Sequence, residues 1–362
     1  MSTSHHHHDH DHEHHYDHDH HRDHEPRQGR WARILAGLHL DRHSHIHARD
    51  RAYLDNEEGI RTVWLALAVL TITSIIQIVI VMWSGSVALF ADTVHNIGDG
   101  LNSIPLLIAF YLARRAATRR YPYGFGKAED VAGVFIVLSI AFSAGVIFWE
   151  SFQKLINPQP LANLGWLAAA AIVGFLGNEA VALLQIRTGR RIGSAALVAD
   201  GLHARTDGLT SLAVLVAAGG SWLGFPIIDP IVGFLIGITI LFITRDAAKT
   251  MWHRLMDAIE PDLLDKAEEV VQYQTGVKAL RALRMRWIGH RLQAEVTVAV
   301  DPHITVVEGH HIAEEVRHGL FHEITNLSEI IVHVDPWSPG QETYHELTAH
   351  HEPVLRWETV PA

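Results

Sequence analysis

The pattern Ala-Asp-x-x-His-x-x-x-Asp-Gly-Leu occurs twice in this chain, as ADTVHNIGDGL at Ala91 to Leu101 and as ADGLHARTDGL at Ala199 to Leu209. A His and an Asp four residues apart leave one side of a helix one turn from each other, so each pair can reach a single metal ion. His95 with Asp99, and His203 with Asp207, together offer two imidazoles and two carboxylates. That is the ligand number of a tetrahedral zinc site, and its nitrogen and oxygen donors suit Zn²⁺ first, with Co²⁺, Cd²⁺, Fe²⁺ or Mn²⁺ as alternatives. Such ligands bind metal as neutral His and ionised Asp, so loading expels protons and unloading takes them up. A free imidazole titrates near about 6.5 and can switch across the pH difference of an energised membrane. His203 and Asp207 are the expected proton-coupled pair. Asp92 and Asp200, three residues ahead of each His, either orient an imidazole, line the access path or hydrogen-bond a neighbouring helix.

The elements that must position these residues are apolar. Six stretches are long enough to cross a hydrocarbon layer of ~30 Å, which takes roughly 20 helical residues: Ile60 to Trp83, Ser86 to Leu112, Ala128 to Phe152, Leu161 to Ile186, Ser194 to Gly219, and Ile227 to Thr244. Asp92, Asp99, Asp200 and Asp207 then sit at membrane depth, at about 2.5–3.5 kcal/mol for each central Asp, too high a cost for residues without a task. Glu179 and Arg205 are further charges there, pairing with the cluster or with each other. Asn96, Asn102 and Asn178 are expected to join helices by hydrogen bonds. Gly98, Gly100, Gly201 and Gly208 let the helices approach closely, with or without motion.

Arg114, Arg115, Arg119 and Arg120 follow the second stretch, and Arg187, Arg190 and Arg191 follow the fourth. Lys and Arg are absent from the connections at Trp83 to Ser86, Asn157 to Asn163 and Gly220 to Pro226. By the positive-inside rule the basic loops and both termini are cytoplasmic. The second and fifth stretches then run in opposite directions, and an inverted pair of polar motifs meeting at the midplane points to an alternating-access transporter.

With no cysteine among 362 residues, metal chemistry must rest on His, Asp and Glu. The formal net charge of −11 comes mostly from the His-rich ends and the polar C-terminal part, so it implies no nucleic-acid partner. No cleaved signal is expected at the polar N-terminus; the helix from Ile60 acts as its own insertion signal. Ser4 to Glu25 interleaves imidazoles with carboxylates. Such a tract cannot build a core and reads as a disordered arm collecting divalent metal weakly, through His5, His6, His7, His8, His10, His12, His14 and His15. His5 to His8 alone also fits an expression tag. Arg30 to Leu40 has the spacing of a short interfacial helix, a partner-binding helix or a linker.

Beyond Arg245 the chain turns polar. The expected elements are a helix from Pro261 to Gln274, strands from Leu280 to Ile288 and Arg291 to Val300 turning at Gly289 and His290, a helix from Val306 to Glu323, and a strand from Ser328 to Val334. This order predicts a small α+β sandwich with its helices on one face. His310, His333 and Asp335 are candidate ligands there, with His290 and Glu295 as weaker ones. The domains expected are an arm over 1–58, a six-helix membrane part over 59–248, a cytoplasmic part over 249–338 and a tail over 339–362.

Together these residues resemble the cation diffusion facilitator family, proton-coupled exporters of zinc and related divalent metals. The resemblance runs from about Ile60 to Pro336 and rests on both His-x-x-x-Asp motifs, YPYGFGKAED at Tyr121 to Asp130, the Asp229–Pro230 step and IIVHVDP at Ile330 to Pro336. It implies an α-helical membrane protein of six transmembrane helices with a C-terminal α+β ferredoxin-like cytoplasmic domain, assembled as a homodimer. A compact six-helix chain without organellar signals is expected in a bacterial inner membrane, with a eukaryotic vesicle membrane as the alternative. It also implies a transport site at His95, Asp99, His203 and Asp207, with His in both motifs favouring zinc. A second site that some members carry after the second helix falls on Thr118, Tyr121 and Phe125 and is expected to be missing. His310, His333 and Asp335 match positions that bind regulatory zinc in some members, whereas Glu295 and Lys278 depart from that pattern. The chain is not expected to be an enzyme, since no His-Glu-x-x-His helix occurs in the membrane segments. The rival reading is a membrane-bound zinc sensor or buffer.

Overall fold

The computed structural model describes residues 48–84, 100, 102–156, 163–225 and 227–338, all within one unit. The His-rich arm, Asp92, His95 and Asp99 lie outside the described residues. The helices are α1 (Ala48–Ser84), α2 (Ser103–Ala113), α3 (Lys127–Ile156), α4 (Leu164–Ile192), α5 (Ala195–Trp222) and α6 (Ile228–Leu255). Four of them, α1, α3, α4 and α6, are long and apolar enough to cross a membrane. α5 matches them in length but carries Asp200, His203, Arg205 and Asp207. Large apolar side chains such as Ile72, Phe135, Leu138, Phe142, Leu176 and Leu235 face outward from the bundle. In water that surface would be a liability; against lipid it is the expected exterior.

Most helices outrun the apolar stretches that announced them. α6 continues through Arg245, Asp246, Lys249 and Arg254, because hydropathy marks the hydrocarbon layer while the backbone hydrogen bonds carry on into the polar zone.

α4 and α5 are joined by a tight turn. Gly193 takes a left-handed conformation (φ 75°) that closes α4, and the Ser194 hydroxyl accepts from the Leu197 N–H to open α5. The two helices then pack closely through glycines. A Cβ on Gly201 would sit 2.9 Å from the Ile186 backbone nitrogen, and one on Gly189 would sit 2.9 Å from that of Val198. The start of α1, the ends of α2 and α4, the starts of α3 and α5 and the end of α6 share one end of the bundle. Arg114 bonds Tyr53 and lies 3.6 Å from Glu57, Arg191 pairs with Glu58, and Lys127 pairs with Asp257 at 2.9 Å. α2 and α5 are therefore antiparallel, as the inverted motifs required.

The C-terminal part follows the expected order. α7 (Pro261–Gln272) leads to β1 (Ala279–Ile288) and β2 (Arg291–Val300), then α8 (Val306–Glu323) and β3 (Leu327–Pro336). β1 and β2 form an antiparallel hairpin, and β3 lies parallel to β2 after the α8 crossover. Both helices cover one face, where Ala267, Val271, Val316 and Leu320 pack on Leu292, Ala294, Val296 and Val298. α8 opens with a reciprocal cap in which Thr305 and Glu308 satisfy each other's backbone N–H groups. The backbone and side-chain hydrogen bonds from Thr305 hold the Glu308 carboxyl below its usual range.

The glycine contacts are testable. Gly201→Leu should force α4 and α5 apart and cost about 1–3 kcal/mol, seen as a lower unfolding temperature in detergent. Gly219→Ala on the same helix, where an added Cβ meets nothing within 4 Å, should leave that temperature unchanged or raise it.

Candidate metal centre

α5 carries the second motif through the middle of the bundle, with Asp200 and His203 each 2% exposed and Asp207 9% exposed. The His203 Nε2 lies 2.9 Å from the Asn102 side-chain nitrogen and 3.8 Å from an Asp207 oxygen. The Asn102 amide and the His203 ring are thus within hydrogen-bond distance, with the donor set by the tautomer of the ring. Asn102 also donates to Ser139 Oγ on α3 at 2.9 Å. This is the helix-joining role expected of it.

Asp207 lines a small polar recess with Leu70, Thr73, Ser74 and Gln77 of α1 and Asn178 of α4. Gly100, the residue that follows Asp99 in the chain, lines the same recess. The first motif therefore ends in sequence beside the carboxylate of the second. Among the described residues, no three His, Asp or Glu side chains are grouped to hold a metal ion. His203 and Asp207 supply two donors, and His95 and Asp99 fall outside the described residues.

Of the roles open to Asp200, the structure displays that of a tie between helices. Its Oδ2 accepts from Ser103 Oγ on α2 at 2.7 Å and from Gln185 Nε2 on α4 at 2.5 Å. Arg205 and Glu179 pair with each other through two bonds, 2.7 and 3.2 Å long.

The cytoplasmic candidates separate into three places. His333 Nε2 sits 2.9 Å from Asp335 Oδ1 on β3. Their register partners are Thr297 and Ala299 of β2, so Glu295 lies on the same face of the sheet, the one that the helices leave uncovered. His310 is exposed on α8, which covers the opposite face. His290 lies apart from both. It is buried at the hairpin tip with its Nδ1 2.7 Å from Glu129 Oε2, and its backbone N–H donates to the same oxygen.

That contact belongs to a joint between the sheet domain and the membrane helices. The Gly289 N–H donates to Asp130 Oδ2 at 3.2 Å, and Gly289 (φ 61°) has no room for a Cβ, which would fall 2.7 Å from a Glu129 oxygen. Arg254, at the end of α6, donates to the carbonyls of Gly289 and Gly193, both at 3.1 Å, and its guanidinium lies 4.0 Å from the Trp287 ring centre. Asn326 donates to the Ile192 carbonyl at 2.8 Å. Burial pushes the neighbouring Arg291 guanidinium down from its usual value, opposed by the charges of Glu129 and Asp55. Glu129 and Asp130 were not singled out from sequence; the available signal was two adjacent carboxylates at the mouth of an apolar helix.

Residues 63–256 match the family described as the cation efflux transmembrane domain, and residues 259–337 match the cation efflux protein, cytoplasmic domain. A Mycobacterium tuberculosis protein named "Probable cation efflux system protein" is 53% identical over 282 residues, spanning 78% of this chain and 85% of that one. The cation-efflux pump FieF of Serratia proteamaculans is 29% identical over 277 residues, or 75% of this chain and 92% of that one. A solved cytoplasmic domain named MamM, in a cadmium form, is 26% identical over 22% of this chain and 98% of that one, with a TM-score of 0.21.

Replacing His290 by Ala would leave Glu129 buried without the imidazole, a loss of about 1–3 kcal/mol from the joint. Hydrogen exchange at residues 288–291 should accelerate while exchange in the α7 and α8 core stays slow. Unchanged exchange at the hairpin tip would show that the joint does not depend on this bond.

Proposed function

The chain belongs to the cation diffusion facilitator family, transporters of divalent metal cations, and on that premise we propose that it exports Zn²⁺ by proton antiport through His95, Asp99, His203 and Asp207. The observation that carries this reading is the shared recess. Asp207 and Gly100 line one polar pocket inside an apolar bundle, and Gly100 follows Asp99 directly in the chain. Antiparallel α2 and α5 support it, because a site at the crossing of inverted elements can open to either side with the same ligands.

The same reading places six crossings in a bacterial inner membrane, with both termini in the cytoplasm. It divides the chain into the arm (1–58), the membrane part (59–248), the cytoplasmic part (249–338) and the tail (339–362). It pairs two copies through the cytoplasmic domain, taken as ferredoxin-like, and assigns His333, Asp335 and Glu295 on its open sheet face as a regulatory ligand group, with His310 as an outlying candidate. The arm gathers metal through His5, His6, His7, His8, His10, His12, His14 and His15.

Zinc is the cargo. It is bound by neutral imidazole and ionised carboxylate, so each ion loaded from the cytoplasm displaces protons, and protons entering from the more acidic side displace the ion outward. The His203 Nε2 is the atom that changes hands, shared between the Asn102 amide, a proton and the metal. Asn102 can release it at modest cost, since its amide keeps the Ser139 bond. Asp200 holds α2 and α4 to α5 while this exchange proceeds.

Two measurements test this. Proteoliposomes under an imposed pH gradient should accumulate zinc and dissipate the gradient; Asp207→Ala should abolish the flux, and His203→Ala should remove its dependence on pH. Tight zinc binding without flux would turn the reading to a sensor or buffer, and faster flux of Cd²⁺, Co²⁺, Fe²⁺ or Mn²⁺ would reassign the cargo. Asn102→Ala should tighten zinc binding about twofold to thirteenfold, the worth of one competing hydrogen bond of about 0.5–1.5 kcal/mol, measured by chelator competition at fixed pH. Weaker binding would make Asn102 an orienting residue instead.

A further inference from the structure

α8 is built from two rows of residues with the same spacing. Gly309, Ala313, Val316 and Leu320 form the buried row that meets the sheet and α7. His311, Glu315, His318 and His322 repeat that row two residues later. At about 100° per residue, a shift of two places the second row about 200° around the helix, on the pole that faces away from the core. All four of its members are exposed. Packing therefore does not require imidazoles at these positions.

The side chains along this row already meet. The rings of His318 and His322 lie edge to face with their centres 4.3 Å apart, and His311 Nε2 is 3.6 Å from a Glu315 oxygen. Zn–N bonds of about 2.0–2.1 Å at a tetrahedral centre put two ligating nitrogens about 3.3 Å apart, a spacing that neighbouring rings on successive helical turns reach by side-chain rotation. Two imidazoles select borderline cations of the Zn²⁺ class and offer little to Mg²⁺ or Ca²⁺, which take all-oxygen shells.

We propose that the His318–His322 pair forms a surface binding site for a divalent cation of the zinc class on the outward pole of α8, with water completing the coordination shell. The site is separate from the membrane centre and from His333 and Asp335, which lie across the sheet from α8. It stands whether or not the bundle transports zinc. Chelation across one turn ties two successive turns together, so metal also firms the C-terminal half of α8, and a cation can be held there without first entering the membrane part.

The test is residue-specific, because the chain holds 29 histidines. The full chain in detergent is treated with diethyl pyrocarbonate, which attacks unliganded imidazole, and each residue's modification rate is read by mass spectrometry with and without ZnCl₂. At a zinc concentration about ten times the dissociation constant, His318 and His322 should react about tenfold more slowly, since only the unliganded fraction reacts. Exposed His303 serves as the internal reference, and MgCl₂ should protect neither residue of the pair. In His318→Gln, an exchange at an exposed position, the protection of His322 should disappear. Equal rates with and without zinc would overturn the proposal, as would protection of His322 that survives in His318→Gln.

Discussion

An ionisable group carried into a hydrocarbon layer must meet a partner there, and the interior of this bundle is arranged around that constraint. Arg205 and Glu179 neutralise each other between α4 and α5. Lys154 near the end of α3 meets Asp229 at the start of α6 at 3.1 Å. Asp200 takes bonds from α2 and α4 at once. Asp207 differs from these pairs in facing a polar recess, with His203 one turn before it on α5. The charges that only hold the bundle together are consumed by one another, whereas the second motif keeps donor atoms next to space. A polar group beside a cavity inside an apolar domain is costly unless something occupies that cavity for part of a working cycle, which is why the recess carries more functional weight than the number of polar residues near it.

The same economy shapes the joint below the bundle. At the hairpin tip Ile288 is buried against Gly126, while Gly289 has no side chain and His290 is polar. Beside that contact the tip's N–H groups and imidazole face Glu129 and Asp130 while its carbonyl receives Arg254. Arg254 also reaches the Gly193 carbonyl at the α4–α5 turn, so one guanidinium touches the sheet domain, the end of α6 and the start of the helix that bears His203. A displacement of the sheet domain is thereby felt at the root of α5 through short, directional bonds.

Much of this was legible in the chain itself. Apolar length marked the helices, and the alternation of basic and uncharged connections set the antiparallel course of α2 and α5, because both signals come from the solvent and not from tertiary packing. The order of elements after Arg245 was readable for the same reason: a helix with Pro at its first turn, alternating strands around Gly289-His290, and the Thr305–Glu308 cap each declare themselves locally. What could not be read was partnership across distance. His290 looked like a spare ligand because nothing near it in sequence reveals Glu129, 161 positions away. Asp200 admitted three roles until Ser103 and Gln185 were seen to converge on it. The His311, Glu315, His318 and His322 row was overlooked because its meaning depends on which side of α8 faces the sheet.

Asn102 and Ser103 are neighbours at the start of α2, and they bond His203 and Asp200, one turn apart on α5. α2 and α5 can part at this level only if both bonds break. At about 0.5–1.5 kcal/mol net for each, the pair costs roughly 1–3 kcal/mol. A full swing of a two-state equilibrium from 1:99 to 99:1 needs about 5.5 kcal/mol. The ties are thus strong enough to favour one arrangement at rest and weak enough for a ligand with different affinities for the two arrangements to reverse it. In the proposed cycle, a metal that displaced Asn102 from the His203 Nε2 would break one of the two ties by the act of binding, joining the chemistry of the site to the separation of its helices.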